Sequence, residues 1–433
     1  VAFAASREVY MIAFNSKYCS WLLRCAVVLG VSLMFFAPAP ATAGGELPYI
    51  KIRINGARDP DIGRNGRVGF ARPVNPDSLG DENVYHFNGI KIKQLTNNGG
   101  TINDIQASGQ RLAWVRFGLT PEGMFGSDLF SYDDKKVRNV SNDNEPSEIQ
   151  LDFDLAGKNL SWASFVNADL EYHVFLNKGG NQNIKITEGT EPHFRTIAKT
   201  STEGNVAWGE SNDQGFGAIF YYDGNDEEIR SVVSDDQENG FFQLSGHRVA
   251  WITRDSFGDD GVEPGRLKLY NGNTEQTTIL AEGGGPFGEP VPTGTESYDH
   301  PYLLWQGVID PETFESTFWL MNVSTGETID LVEAVAPFTL GSIPALSEGF
   351  VAFLGGDGNG NGVVAIYDIN RDKVRVIHTF PPDATEFSFN VRISGPNVVW
   401  DLFEFLDEPP FVRNSAVVAY RLDEYIKILL NAF

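Results

Sequence analysis

The sequence predicts an all-β chain folded as a β-propeller of four-stranded antiparallel blades, eight by count with seven as the alternative. Two observations carry this. A large aromatic recurs at Phe70, Trp114, Trp162, Trp208, Trp251, Trp305, Phe353 and Trp400, at separations of 44, 48, 46, 43, 54, 48 and 47 residues. A period of this length marks stacked supersecondary units, and four short strands with tight turns need roughly 40–50 residues. Around each aromatic, the same succession of strand-like runs and turn residues returns.

Residues 101–141 show the unit. Ile102–Gly109 alternates and ends in a Ser-Gly turn, Arg111–Phe117 carries Trp114, and a Gly/Pro loop follows at Gly118–Ser127. Asp128–Tyr132 is a third run, closed by Asp133 and Asp134, and Lys136–Val140 a fourth. Short β-branched and aromatic runs between turn residues read as antiparallel strands, here A to D. Strand B recurs at Gly66–Ala71, Asn159–Ser164, Asn205–Glu210, His247–Thr253, Tyr302–Gly307, Phe350–Gly355 and Asn397–Leu402. Strand C recurs at Asn83–Phe87, Ala218–Gly224, Arg266–Gly272 and Val364–Asp368, ending in an Asn or Asp suited to a tight turn. The aromatics alternate with apolar neighbours, so burial between blades is their expected role, and Trp319 is expected in the core as well. Tyr425–Leu430 is suited to sealing the ring against Pro48–Ile54. No convincing helix is predicted.

The blocks Ser108–Trp114, Ser245–Trp251 and Ser394–Trp400 follow S-G-x-x-[LV]-x-W, and Tyr222-Asp223-Gly224 and Gln94-Leu95-Thr96 match the later parts of a repeat. In these the chain resembles the TolB-like β-propellers of exported bacterial proteins. The resemblance spans almost all of the chain after its N-terminal segment. It implies the fold, a binding-platform role and no catalytic residue to carry over.

Residues 1–43 read as a secretory signal, with residues 1–10 upstream of the start at Met11. Lys17 and Arg24 give the basic region, Cys25–Ala37 the apolar stretch, and Ala41-Thr42-Ala43 the cleavage site. Residues 44–433 are then expected to form one propeller domain, periplasmic or extracellular, with no stable membrane span after cleavage. Both cysteines lie in the signal, so the remainder has neither disulfide nor thiol chemistry. The chain carries a net −25, and setting aside Arg7, Lys17 and Arg24 against Glu8 leaves about −27 for the remainder. Such a charge disfavours nucleic acid and favours cations or a basic partner.

Candidate sites follow the same logic. Asp357-Gly358-Asn359-Gly360-Asn361-Gly362 matches the first half of a calcium loop, with Asp357, Asn359 and Asn361 as oxygen donors. The twelfth position, Asp368, sits beyond a strand of five residues, roughly 16 Å away, so an EF-hand is excluded. A hairpin site for calcium, or a plain Gly/Asn hairpin, remains. A second acidic loop, Asp255–Glu263, occupies the same B–C position two blades earlier. An acid also falls just before strand A, in its entry loop, in six repeats: Asp104, Glu148, Glu191, Glu238, Glu289 and Glu386. Strand A lines the channel of a propeller, so these acids are expected to form a negative collar at its mouth. The histidines lack metal-site spacing, and His193, beside Glu191, is the one near the expected mouth. No G-x-S-x-G elbow and no phosphate loop are present.

The function expected on this basis is a non-enzymatic, exported scaffold that binds a protein or polysaccharide, with calcium as a possible aid. The alternative is a carbohydrate-active propeller, a hydrolase or lyase that uses the collar carboxylates. A structural surface protein is a third reading, marked by self-association.

Overall fold

In the computed structural model, eight four-stranded antiparallel sheets follow one another along the chain, as the aromatic period requires. The structure describes residues 52–75, 80–97, 99–119, 125–141, 148–166, 171–187, 194–211, 217–233, 238–254, 257–258, 261–262, 265–282, 291–310, 315–406 and 412–421. The expected signal segment lies outside them.

Blade 1 shows the pattern: strands A to D are Arg58–Ile62, Val68–Pro73, Glu82–Phe87 and Ile92–Gln94, paired in sequence order. The A strands of the next five blades are Thr101–Ser108, Glu148–Ala156, Phe194–Thr200, Glu238–Ser245 and Val291–Asp299. In blade 7 strand A is split into Thr339–Leu340 and Ala345–Ser347, and in blade 8 into Glu386–Phe387 and Val391–Ser394. Each A strand contacts the next, and that of blade 8 returns to that of blade 1, which closes the ring around a central channel.

The ring is closed out of chain order, by strand pairing. The outer strand of blade 8 is Ile52–Asn55, from the beginning of the chain, paired antiparallel with Val412–Arg421 in the register Ile52↔Ala419 to Asn55↔Ala416. The expectation that the N-terminal strand seals the last blade holds, but its partner is corrected. Val412–Arg421 is strand C of blade 8, so the fourth place falls to Ile52–Asn55, and Tyr425–Leu430 lies outside the described residues.

Eight apolar clusters fill the eight gaps between blades. Trp114 packs on Ala71 and Val84 of blade 1, and Trp162 on Ala113, Val115 and Leu129 of blade 2. Trp208 meets Val174 and Leu176, and Trp251 meets Ala207 and Ile219. Trp305 and Phe353 repeat the arrangement. Trp400 packs on Leu354 and Val364, and Phe70 on Val399, Val417 and Ala419, which completes the circle. The alternation of a strand explains this: the aromatic faces the preceding blade, and its immediate neighbours face the following one. Those neighbours are often small, leaving room for the next aromatic. In blade 1 the neighbour is Gly69, where a Cβ would come within 2.9 Å of Ile105 and 3.0 Å of Leu112. In five blades the aromatic also stacks on its cross-strand partner in strand C, as in Trp114–Phe130 at 5.8 Å and Trp305–Trp319 at 5.9 Å.

Polar stitches follow the same geometry. The Gly157 N–H donates to Ser108 Oγ (2.7 Å), His300 N–H to Ser245 Oγ (3.0 Å) and Gly395 N–H to Ser347 Oγ (2.9 Å). The serine that ends strand A, in Ser108-Gly109, Ser245-Gly246 and Ser347-Glu348, therefore joins each such blade to the next. The first residue of strand B does likewise: Asn159 Nδ2 donates to Ser201 O, Asn205 Nδ2 to Gly246 O and Asn397 Nδ2 to Arg64 O. The C–D turns of blades 1 to 7 are capped by the predicted Asn or Asp. Asn88, Asp133, Asn177, Asp223, Asn271, Asn322 and Asp368 each accept a backbone N–H two or three residues ahead. Among the described residues, two short departures from the all-strand expectation occur. One helical turn, Leu331–Ala334, is capped by Asp330, and a 3-10 turn spans Ile369–Arg371.

Trp208 is buried in the gap between blades 3 and 4, and its Nε1 donates to Glu210 Oε1 (3.1 Å). Trp208→Ala is expected to cost about 3–5 kcal/mol, read as a lowered denaturation midpoint in guanidinium chloride.

Candidate active site

Six of the A strands, in blades 1 to 6, carry a register shift against strand B. These fall between Arg58/Asp61, Asn103/Ile105, Gln150/Asp152, Thr196/Lys199 and Asn239/Phe242, and twice within Val291–Asp299. A bulge leaves a residue unpaired and re-aims side chains beside it. In blades 1 to 3 acids stand at or next to it. Asp59 and Asp104 are bulge residues in the left-handed region, at φ 48 and 46, and Asp152 follows the third bulge. Non-glycine residues held there mark strain, and Asp tolerates it better than most.

The closed ring brings these acids into one electrostatic group. Asp104 raises the proton affinity of Asp59, Asp61, Asp152 and Asp154, and Asp401 of blade 8 is coupled to Asp59. Burial is the larger cause in every case, because protein walls surround the carboxylates and charge is poorly solvated there. Asp61 is pushed up to about 7, against the pull of the Ala107 N–H at 2.6 Å and of Arg392. Asp152 is pushed up to about 6, opposed by Lys199. Asp401 also reaches about 6, although its carboxylate is hydrogen-bonded by Asn390 and Ser388. Asp154 is raised while it accepts the Thr200 N–H at 2.8 Å. The arc runs over blades 8, 1, 2 and 3 and is bracketed by Lys199 of blade 4 and Arg392 of blade 8. Glu296, on strand A of blade 6, is raised by burial alone.

The structure distributes the six sequence-predicted acids unevenly. Asp104 is at the centre of the group, within its strand instead of ahead of it, and accepts Gln106 Nε2 at 3.0 Å. Glu148, Glu238 and Glu386 are the first residues of their A-strand segments. The Glu386 carboxylate is gripped by Arg53 of the closing strand through both guanidinium nitrogens. Glu191, Glu289 and His193 lie outside the described residues. Sequence reading missed Asp59, Asp61, Asp152, Asp154 and Asp401. The available signal was the D-x-D pattern of Asp59-Pro60-Asp61 and Asp152-Phe153-Asp154, which sets the two carboxylates of blade 3 on one strand face, whereas in blade 1 the bulge interrupts the alternation.

The glycine-rich loop is built as a turn on itself. Asp357 Oδ1 accepts the N–H groups of Asn359 (2.8 Å) and Asn361 (3.1 Å), and Oδ2 accepts Asn361 Nδ2 (2.7 Å). These donors hold Asp357 below the usual carboxylate range. Asp357, Asn359 and Asn361 are thus brought together, with the amide nitrogens turned toward the carboxylate. Of the second acidic loop, Phe257–Gly258 pairs with Gly261–Val262 as a small ribbon, and the acids fall outside the described residues. Among the described residues no cluster of three His, Cys, Asp or Glu side chains is arranged to hold a metal.

No protein-family profile matches the chain, and no curated protein sequence does. Many solved structures share its fold. A prolyl endopeptidase superposes with a TM-score of 0.52 at 12% identity, covering 81% of this chain and 55% of the peptidase. This chain therefore spans about half the length of that enzyme. An oligogalacturonate lyase from Vibrio parahaemolyticus gives 0.46 at 12% identity, covering 73% of this chain and 90% of the lyase. A structure assigned as TolB from Agrobacterium tumefaciens gives 0.33 at 13%, covering 53% and 81%. Such likeness establishes a β-propeller.

The expectation of a non-enzymatic scaffold is corrected at this point. Structures that share the fold are mostly those of peptidases, with one of a lyase, and at 10–14% identity they do not single out a scaffold without activity. That expectation also rested on finding no catalytic constellation along the sequence, and carboxylates gathered from four blades leave no linear motif.

Linkage fixes the pH signature. A carboxyl whose folded pKa is raised binds more protons folded than unfolded, so its contribution to stability falls as pH climbs from the unfolded value to the folded one. For Asp61, Asp152 and Asp401 that window runs from about 4 to about 6–7. Asp104→Asn keeps a residue that tolerates the left-handed backbone and removes the charge shared by four neighbours. It is expected to be more stable than wild type at pH 8, by on the order of 1 kcal/mol, with the difference fading toward pH 4. Thermal melts across pH 4–8 test this.

Proposed function

We propose that this propeller is a glycan hydrolase whose chemistry is carried by the carboxylates of the channel. The single observation behind this reading is the coupled acid group around Asp104. Hydrolysis of a glycosidic bond needs one carboxyl that keeps its proton near neutral pH and a second that is ionised. Asp152, pushed up to about 6, suits the proton donor. Asp104, exposed at the centre of the group, suits the partner that activates water or attacks the sugar. Lys199 beside Asp152 would resist its protonation, so burial and the neighbouring charges of Asp154 and Asp104 must outweigh it, and the direction of the shift is consistent with that.

The surplus of carboxylates favours a neutral or cationic glycan over a polyuronate, since an acidic arc repels an anionic chain. On its S-G-x-x-[LV]-x-W blocks we read the chain as TolB-like, and its N-terminal segment as an export signal. The substrate is then a glycan met outside the cytoplasm.

The test is turnover on a panel of neutral, cationic and acidic polysaccharides. Reducing-end release scores hydrolysis, and ultraviolet absorbance of an unsaturated product scores elimination. We expect reducing ends from a neutral or cationic glycan, with kcat lowered about 100-fold or more in Asp152→Asn and in Asp104→Asn. No turnover across the panel, or turnover untouched by both substitutions, would remove the proposal. An unsaturated product would replace hydrolysis with elimination.

A further inference from the structure

On the face that carries the A–B and C–D turns, a cavity of about 300 Å³ opens between blades 2 and 3. Its lining includes Gln110, Arg111, Asp133, Arg138 and Lys158, with glycines at three of the turns. Three cations around one carboxylate stand out in a chain with a net charge of −25.

Arg111 is 7% exposed, and its hydrogen bonds go to neutral oxygens: Lys158 O, Ser131 Oγ (3.1 Å) and Asn177 Oδ1 (3.1 Å). Asp133, the one acid of the lining, is engaged elsewhere. Its Oδ2 accepts Arg138 Nη2 at 2.7 Å, and its Oδ1 accepts the N–H groups of Lys135 and Lys136. Arg138 Nε is buried without a hydrogen-bond acceptor. Lys158 is exposed at the rim, its stem lying along Gly179. The charge on Arg111 is costly where it stands: burial and the nearby Arg138 push its pKa down to about 10, against the pull of Asp133. A buried guanidinium hydrogen-bonded to no carboxylate is the arrangement that an external anion would stabilise, and its fork suits two oxygens of one group. At Gly109, with φ +57, an added Cβ would meet nothing within 4 Å, so the turn bordering the cavity is open. The volume is at the lower end for small-molecule sites and far exceeds that needed for one water.

We propose that this cavity binds a small organic anion of about monosaccharide size, its carboxylate or phosphate held by Arg111, Arg138 and Lys158. The site uses none of the channel acids and stands independently of the hydrolase reading. Calorimetric titration of the full chain at low ionic strength would use glucuronate, glucose 6-phosphate and neutral glucose as probes. Saturable binding is expected for at least one anion and none for glucose, with affinity falling as salt is added. Glucuronate alone would mark a carboxylate site, glucose 6-phosphate alone a phosphate site, and both a general oxyanion site. The double substitution Arg138→Gln/Lys158→Gln is expected to weaken binding at least tenfold while the melting temperature stays close to wild type. If that variant fails to fold, Lys158→Gln alone, at an exposed side chain, should weaken binding several-fold. Glucose binding as well as the anions, no saturable binding of either anion, or unchanged affinity in the variants would overturn the proposal.

Discussion

The aromatic wedge between neighbouring blades is the interaction on which the rest depends. A lone four-stranded sheet has two faces to cover and too little apolar surface to cover them itself. Each blade supplies one large side chain to the gap behind it and a small-residue face to the gap ahead. Because the gaps are equivalent, the rule repeats until Phe70 meets Val399, Val417 and Ala419 and no face remains open. Most of the wedging indoles surrender their polar atom to this packing. Trp114, Trp251, Trp305 and Trp400 leave Nε1 buried without an acceptor, and ring stacking and area burial must offset that cost. The polar stitches at the end of strand A and at the head of strand B then fix how each blade is angled onto the next.

Closure also makes the electrostatics. Inner strands that are some 45 residues apart in sequence become neighbours around one axis. Carboxylates that would be well hydrated on an open sheet are forced to share a walled space. The bulges add to this by turning Asp59 and Asp104 out of the regular alternation into left-handed conformations. Strain and charge crowding are thus concentrated on the same short stretch of the same strands. That is the usual mark of a working site, and it comes at a cost to stability that the interblade clusters can bear.

How much of this was legible in the sequence depended on whether the determinant was local. The Trp period, the Ser-Gly turn and the Asn or Asp after strand C are read within a few residues, and each stands where expected. Asp104 was found for its position near a strand start but is embedded in the strand, because a bulge breaks the count of two on which such placement relies. Asp401 could not have been found that way: it lies on strand B of blade 8 and joins the acids of blade 1 only through ring closure. The calcium-like spacing of Asp357, Asn359 and Asn361 illustrates the reverse case. Short-range spacing alone does not distinguish oxygens arranged around a cation from a carboxylate that collects its own loop's donors.

The borrowed outer strand of blade 8 has a consequence for the order of events in the life of the chain. Ile52–Asn55 is among the earliest of the described segments to be made, and its partner Val412–Arg421 the last. Synthesis can complete blades 1 to 7 one after another, each from contiguous residues. Throughout that time the first strand has no ladder to join, and the front of blade 1 has no Val399 or Val417 to cover it. Until the final strands arrive, the growing arc carries two uncovered ends of matching shape. Two half-made chains could satisfy each other as readily as one could satisfy itself. Success therefore rests on the two ends of one molecule meeting before they meet a second. The eighth blade is where the propeller commits to being a single ring.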